Sequence, residues 1–323
     1  MHRRGALTAE PKKGYLRALS LLRKLLGRQR GPCALVAILI LACLLLHTPT
    51  SVADIYELES NQPASANVTY ELKPLTVIVM SAGVRIQELS TILSFYLKNV
   101  SRHEVSSVHL IWNAGTDIPL DVGLLQDKHL TVHKETHNTL NNRYKYWNVV
   151  HTHSVLLLDD DCLIPDIALA TRAQVTYPEQ AIIFFARSHK LGTHGVSYVN
   201  PKRTNGYYSL GTGQATLIRT AWMQLFNTDA RLDRVRRFID DNRPTCEDIA
   251  LHLYISNLTG RAPLLIDAGQ KELRSTPNSG MSSAEGWGEA RKRCLNDFIN
   301  MDFEGRNPLR YSEFDKALGA GDL

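Results

Sequence analysis

Three consecutive carboxylates, Asp159-Asp160-Asp161, close an apolar run, Val155-Leu156-Leu157-Leu158. Aliphatic strands are driven into a core, so this one delivers its acids to the end of a buried element. Clustered like charges raise one another's proton affinity unless a cation sits among them. Alternation along a strand would put Asp159 and Asp161 on one side and Asp160 on the other. Two hard oxygen ligands on one side suit Mg²⁺ or Mn²⁺ holding a substrate's phosphates. Open α/β sheets bind ligands at the carboxyl ends of their strands, which is where this triplet falls. A solvated acidic turn is the plain alternative.

No glycine-rich phosphate loop accompanies the triplet, so a bound nucleotide would need a metal and arginines to neutralise its phosphates. Asn138-Thr139-Leu140-Asn141-Asn142-Arg143 lies just upstream and offers amides and one guanidinium; a polar turn opening a helix explains it equally. Arg85 follows the first strand, near the edge where the triplet should emerge. Thr245-Cys246-Glu247-Asp248 reads as a capping box ahead of an apolar run. Asp248 is then either a first-turn acid that suits the helix dipole or a carboxylate aimed at a substrate by a rigid helix end. Residues 269–288, rich in Gly, Ser and Pro, have the composition of a loop that closes over a site.

The elements that must position these groups alternate. Leu75–Met80 is β-branched and runs into a loop at Ser81-Ala82-Gly83. Ile86, Leu89, Ile92, Leu93, Tyr96 and Leu97 recur at helical spacing. Further strands are predicted at Val105–Trp112, Leu130–His133, Val155–Leu158 and Ala181–Ala186. Strand, helix, strand at this spacing means an α/β domain with a mostly parallel, twisted sheet flanked by helices.

The net charge of +5 is misleading. Residues 1–30 hold nine of the 37 basic side chains and one of the 32 acids, leaving 28 basic against 31 acidic and a net of −3. A nucleic-acid partner read from overall charge is therefore excluded. The basic stretch precedes fourteen unbroken apolar residues, Cys33–Leu46. That pattern is a transmembrane signal anchor over 31–53 with a cytosolic tail at 1–30; a cleaved signal peptide ending at Ser51-Val52-Ala53 is the rival. Residues 54–73 read as a stem and 74–323 as a lumenal domain. Sequons at Asn67, Asn99 and Asn257 agree with a Golgi or endoplasmic reticulum location, single-pass type II. Cys162, Cys246 and Cys294 remain outside the anchor, enough for one intramolecular bridge and a spare thiol.

Taken together, several segments resemble the exostosin-type glycosyltransferases. They are Leu140-Asn141-Asn142-Arg143-Tyr144, Leu157-Leu158-Asp159-Asp160-Asp161, Cys246-Glu247-Asp248-Ile249-Ala250, Ser279-Gly280-Met281-Ser282-Ser283, Arg293-Cys294-Leu295-Asn296-Asp297-Phe298 and Pro308-Leu309-Arg310-Tyr311-Ser312. The order of these pieces is specific where the triplet alone is not, and the Ser279 and Cys294 segments are worded most like plant members. The resemblance implies a glycosyltransferase A-type fold and a retaining transfer of a sugar, N-acetylhexosamine first, from a nucleoside diphosphate. UDP is the first expectation for the donor and GDP-mannose the second. The acceptor would be a glycan or a glycosylated sphingolipid, and the enzyme allows a homo-oligomer.

By position, Asp161 would be the main ligand of Mn²⁺ (or Mg²⁺), with Asp159 beside it, and Asp159 and Asp160 would contact ribose and donor sugar. Asn113, Asn138 and Arg143 would line the nucleoside site with Arg85 near the base. Asp248 would be the catalytic carboxylate, Arg291 the diphosphate-binding arginine, and Cys246–Cys294 a disulfide. The loop Met80–Arg85 departs from relatives, which carry bulkier polar residues before the arginine. A metal-dependent phosphohydrolase and a non-catalytic glycan-binding member are the alternatives.

Overall fold

Leu75–Ser81 (β1) is buried along its whole length and lies inside the main sheet, between two parallel neighbours. The structure, a computed structural model, describes residues 73–193, 195–241, 246–274 and 285–313. The predicted tail, anchor and Asn67, and all of the stem but Lys73, lie outside the described residues. Among those described, no helix is long and apolar enough to cross a membrane. All of them belong to one unit spanning Val68–Leu323.

After β1 come β2 (Val105–Trp112), β3 (Leu130–Lys134), β4 (Ser154–Asp159), β5 (Cys162–Leu163), β6 (Ile182–Ile183) and β7 (Ala186–Gly192). The later strands are β8 (Gly195–Val199), β9 (Tyr207–Tyr208), β10 (Leu210–Gly211), β11 (Ala215–Arg219), β12 (Leu264–Leu265), β13 (Lys271–Glu272) and β14 (Ser312–Glu313). The helices are α1 (Ile86–Val100), α2 (Val122–Leu125), α3 (Asn142–Lys145), α4 (Ile167–Thr176), α5 (Thr220–Thr228), α6 (Asp233–Asp241), α7 (Glu247–Thr259) and α8 (Trp287–Asp302).

Seven strands form the main sheet in the order β12-β6-β11-β4-β1-β2-β3. The β4-β1-β2-β3 block and the β12-β6 pair are parallel, while β11 runs antiparallel to both neighbours. The mixed α/β architecture with a largely parallel sheet is thus the one the alternation of elements predicts. Helix α1 buries Leu89, Ile92, Leu93 and Tyr96, the stripe that its spacing requires. Helix α7 is instead buried from Glu247 through Ser256, a helix packed on all sides.

Two expectations are corrected, and one strand is added. Ala181–Ala186 is not one strand: Ile182–Ile183 joins the main sheet, and Ala186 opens β7 in a second sheet with β8 and β10. An apolar run carries no mark of where it changes partners. The buried β11 was not anticipated, being short and followed directly by α5. The capping-box reading rests on Thr245, which lies outside the described residues; Cys246, the residue before α7, makes no side-chain cap bond. The sequon residue Asn99 is buried and its amide donates to the Phe95 carbonyl at 2.9 Å, leaving no room for a glycan in the folded domain. Asn257 is exposed on α7.

Candidate active site

Strand register brings the chemistry to one edge. Met80 pairs with Asp159 across β1–β4 and Ser81 with Trp112 across β1–β2, so the Ala82–Arg85 loop, Asn113 and the triplet emerge side by side. Because β11 runs antiparallel, its start meets the end of β4, with the Asp159 amide donating to the Gln214 carbonyl at 2.9 Å. Around this edge lies a pocket of about 280 Å³. Arg85, Asn113, Asn138, Arg143, Asp159, Asp160, Asp248 and Arg291 all line it; of the residues expected in the donor site and at the catalytic centre, Asp161 alone does not.

Asp161 does not follow the alternation of the strand before it. Strand β4 ends at Asp159, so the pleat that would aim Asp159 and Asp161 the same way stops before Asp161. Asp159 and Asp160 form the pocket wall, while Asp161 is 1% exposed. Each acid has its own basic partner. Asp159 pairs with the buried Arg143. Asp160 accepts from Ser81 Oγ and Arg85 Nη1, both at 2.6 Å. Asp161 Oδ2 takes Arg274 Nε at 2.7 Å and faces Arg85 Nε at 3.4 Å. Desolvation pushes the Asp159 carboxyl up to about 6 against the pull of Arg143, even though its side chain keeps some exposure to the pocket. Burial also raises Asp160, with Ser81 and Arg85 opposing.

Asp248 stands at the first turn of α7. Burial would raise its pKa, yet Arg291 reverses the balance and lowers it. Arg291 grips it with two bonds of 2.7 Å, and the Gly213 and Ile249 amides donate at 2.9 and 2.8 Å. Arg291 comes from α8, where Tyr198 and Trp287 flank it at 4.5 and 5.0 Å from the ring centroids. The disulfide implied by the resemblance is present: Cys246 and Cys294 are bonded, tying α7 to α8 beside this pair. Cys162 remains a free, buried thiol.

Sequence reasoning missed Glu247, Gly213, Arg187, Tyr198, Trp287 and Arg274, all of which line the pocket. Glu247 had a signal, its place beside Asp248. Burial, reinforced by Asp248, pushes its carboxyl up to about 7. Gly213 joins the two ends of the site. Its carbonyl accepts from Arg143, its amide donates to Asp248, and an added Cβ would stand 2.6 Å from Glu247 Oε1. Nothing in the spacing of Gly213 announced that position. Asn113 is buried and its amide donates to the Thr139 carbonyl at 3.2 Å while its oxygen accepts from Asn142 at 3.0 Å, so it shapes the 138–143 loop as well as the wall.

Among the described residues no three His, Cys, Asp or Glu side chains gather into a metal cage. Asp161 Oδ1, however, is buried without a hydrogen-bond partner. An orphaned carboxylate oxygen beside two further aspartates fits a divalent ion held by one or two carboxylates and completed by substrate phosphates.

The family model for the glycosyl transferase family 64 domain matches residues 75–318. The chain belongs to that family. It is a glycosyltransferase, exostosin-like in sequence. It is 26% identical to the glycosylinositol phosphorylceramide mannosyl transferase 1 of Arabidopsis thaliana over 76% of this chain and 77% of that protein. Identity to the glucosamine inositolphosphorylceramide transferase 1 of the same plant is 27%, over 71% of this chain and 30% of that one. Human exostosin-2 is 23% identical over 74% of this chain and 33% of its own length. The chain thus spans about a third of the latter two relatives. Among solved structures, a mannosyltransferase from Pyrobaculum calidifontis in complex with GDP-Man and Mn²⁺ matches 78% of this chain and 70% of that one at 15% identity. Its TM-score of 0.43 is too low to support the fold or the ligands.

Proposed function

We propose that this family 64 enzyme moves a hexose or hexosamine from a nucleoside diphosphate to a glycan or glycosylated sphingolipid, with retention of anomeric configuration. One observation carries the reading. A carboxylate gripped by Arg291 shares a small pocket with Asp159, Asp160 and their arginine partners. The names of the two plant relatives favour mannose or glucosamine and a sphingolipid acceptor, ahead of N-acetylhexosamine. The fold reading is the A type, with the domain at 74–323 held on the lumenal side of a Golgi or endoplasmic reticulum membrane by the 31–53 anchor.

The donor's diphosphate would lie along Asp159–Asp161 among Arg85, Arg143 and Arg274, with the nucleoside toward Asn113 and Asn138. A bound Mn²⁺ or Mg²⁺, held by Asp161 with Asp159, would supply charge stabilisation to the leaving diphosphate. Arg291 adds fixed positive charge and keeps Asp248 ionised. Asp248 then faces the sugar as its anomeric centre becomes positive and orients the incoming hydroxyl on the same face. Tyr198 and Trp287 offer apolar faces for the acceptor's rings.

The experiment is a panel of nucleotide sugars scored for Mn²⁺-dependent release of UDP or GDP, with Asp248→Asn beside the wild type. Release with one donor, and a fall of about a hundredfold or more in turnover for the variant at unchanged donor binding, is expected. Full turnover by Asp248→Asn would remove that residue from the role. Release without an acceptor sugar being extended would instead favour a hydrolase, and the absence of release from every donor a glycan-binding protein.

A further inference from the structure

Arg274 is the guanidinium of the pocket whose place the sequence least announced. It follows β13, which pairs antiparallel with β5, the strand that begins directly after Asp161. The Leu273 amide donates to the Asp161 carbonyl at 2.8 Å. The backbone beside Arg274 is therefore tethered to the very residue whose carboxylate its side chain holds at 2.7 Å.

The two partners differ in surroundings. The Asp161 side chain is 1% exposed, whereas that of Arg274 is 23% exposed and lines the pocket. Arg143 and Arg291 are buried against Asp159 and Asp248, and Arg85 is shared between Asp160 and Asp161. Arg274 Nε also lies 3.9 Å from Glu272 Oε2, so releasing Asp161 leaves Arg274 a second carboxylate and the other arginine–aspartate pairs in place. Asp161 meanwhile keeps Oδ1 without a partner. A guanidinium and a divalent ion at one carboxylate repel each other, while a guanidinium and a phosphate match in charge and in fork geometry.

Building on the metal-dependent reading above, we propose that Arg274 is a donor-loading residue that exchanges partners. In the donor-free protein it neutralises Asp161 and covers the cation site. On loading it yields that carboxylate to the divalent ion and takes the donor's diphosphate. The donor-free and fully loaded states carry the same local charge, so neither a bare Asp161 nor a bare diphosphate is left at the site.

Calorimetry on the full chain, first with Mn²⁺ alone and then with UDP or GDP at saturating Mn²⁺, tests the exchange in Arg274→Gln. Removing the competing cation is expected to tighten Mn²⁺ alone by about three- to fivefold, the scale of a part-exposed ion pair. The same variant is expected to weaken the diphosphate by about tenfold, the scale of a charge-assisted hydrogen bond. Arg274→Lys keeps the charge and loses the fork, so its Mn²⁺ affinity should match wild type while the diphosphate stays weakened. Unchanged or weakened Mn²⁺ binding in Arg274→Gln, or unchanged diphosphate binding, overturns the proposal. Asp161→Asn separates the two levels of argument. If it binds Mn²⁺ as wild type does, the cation reading fails, whereas loss of Mn²⁺ there with no change in Arg274→Gln sinks the exchange alone.

Discussion

The two ends of the pocket are built from the same chemistry, arginine against aspartate, yet they are set differently. At Asp248–Arg291 the side chains are 6% and 4% exposed. Both partners are held from several sides, and a disulfide ties their helices together. At the triplet the acids Asp160 and Asp161 are equally buried, but Arg85 and Arg274 reach open space at 21% and 23%. A pair desolvated on both sides is rigid and expensive to break. A pair with one partner at the surface can trade that partner for a ligand. The contrast separates a fixed catalytic end from a loading end.

The largest test removes the fixed pair. Arg291→Ala leaves Asp248 buried without its counter-charge and should destabilise the domain by about 3–5 kcal/mol in urea unfolding, whereas Arg85→Ala at the loading end should cost about 1–3 kcal/mol. Equal losses would erase the distinction. Next is the covalent tie. Replacing Cys246 and Cys294 together with Ser removes a bridge across 48 residues and should lower stability by about 4 kcal/mol in the loop-entropy picture. If the disulfide also holds the fixed end, turnover in that variant should fall further than donor affinity.

Gly213 lies where the two ends meet, so Gly213→Ala should disturb both. Its methyl displaces Glu247 and presses toward Arg143, at about 1–3 kcal/mol for overpacking, visible as a lower Tm and weaker nucleotide binding together. A normal Tm with only weakened turnover would place the strain at Asp248 alone. The smallest effect is a change of slope. The Glu247 carboxyl is pushed up to about 7 from 4.5, so between those pH values the folded protein keeps a proton that the unfolded chain has lost. Stability contributed by that proton declines as pH rises through the window. In Glu247→Gln the decline should flatten, making its Tm advantage over wild type larger at pH 8 than at pH 5; a constant difference would show that Glu247 does not titrate there.

Much of this site is legible in the sequence. Arg143, Asp159, Asp160 and Asp248 sit in segments whose order in the chain is diagnostic, and all four line the pocket. Strand β4 announced itself by Val155–Leu158, and α1 by the spacing of Leu89, Ile92 and Tyr96. The orientation of Asp161 was misjudged because a strand's last residue is set by its neighbours' hydrogen bonds, not by its own composition. Asn99 carried a glycosylation signal that three letters cannot weigh against burial. Gly213, Arg274, Tyr198 and Trp287 were invisible because each matters only through residues far away in the chain.

What the sequence by itself determined is local and periodic: which segments are strands and helices, which acids and arginines are available, and the family to which their order belongs. The tertiary structure decided who faces whom. Parallel register aligned the ends of β1, β2 and β4, and the antiparallel β11 brought Gly213 between Arg143 and Asp248. The β5–β13 ladder delivered Arg274 to Asp161. Charge pairing falls steeply with distance and depends on burial, and both quantities come into being only when remote segments pack together.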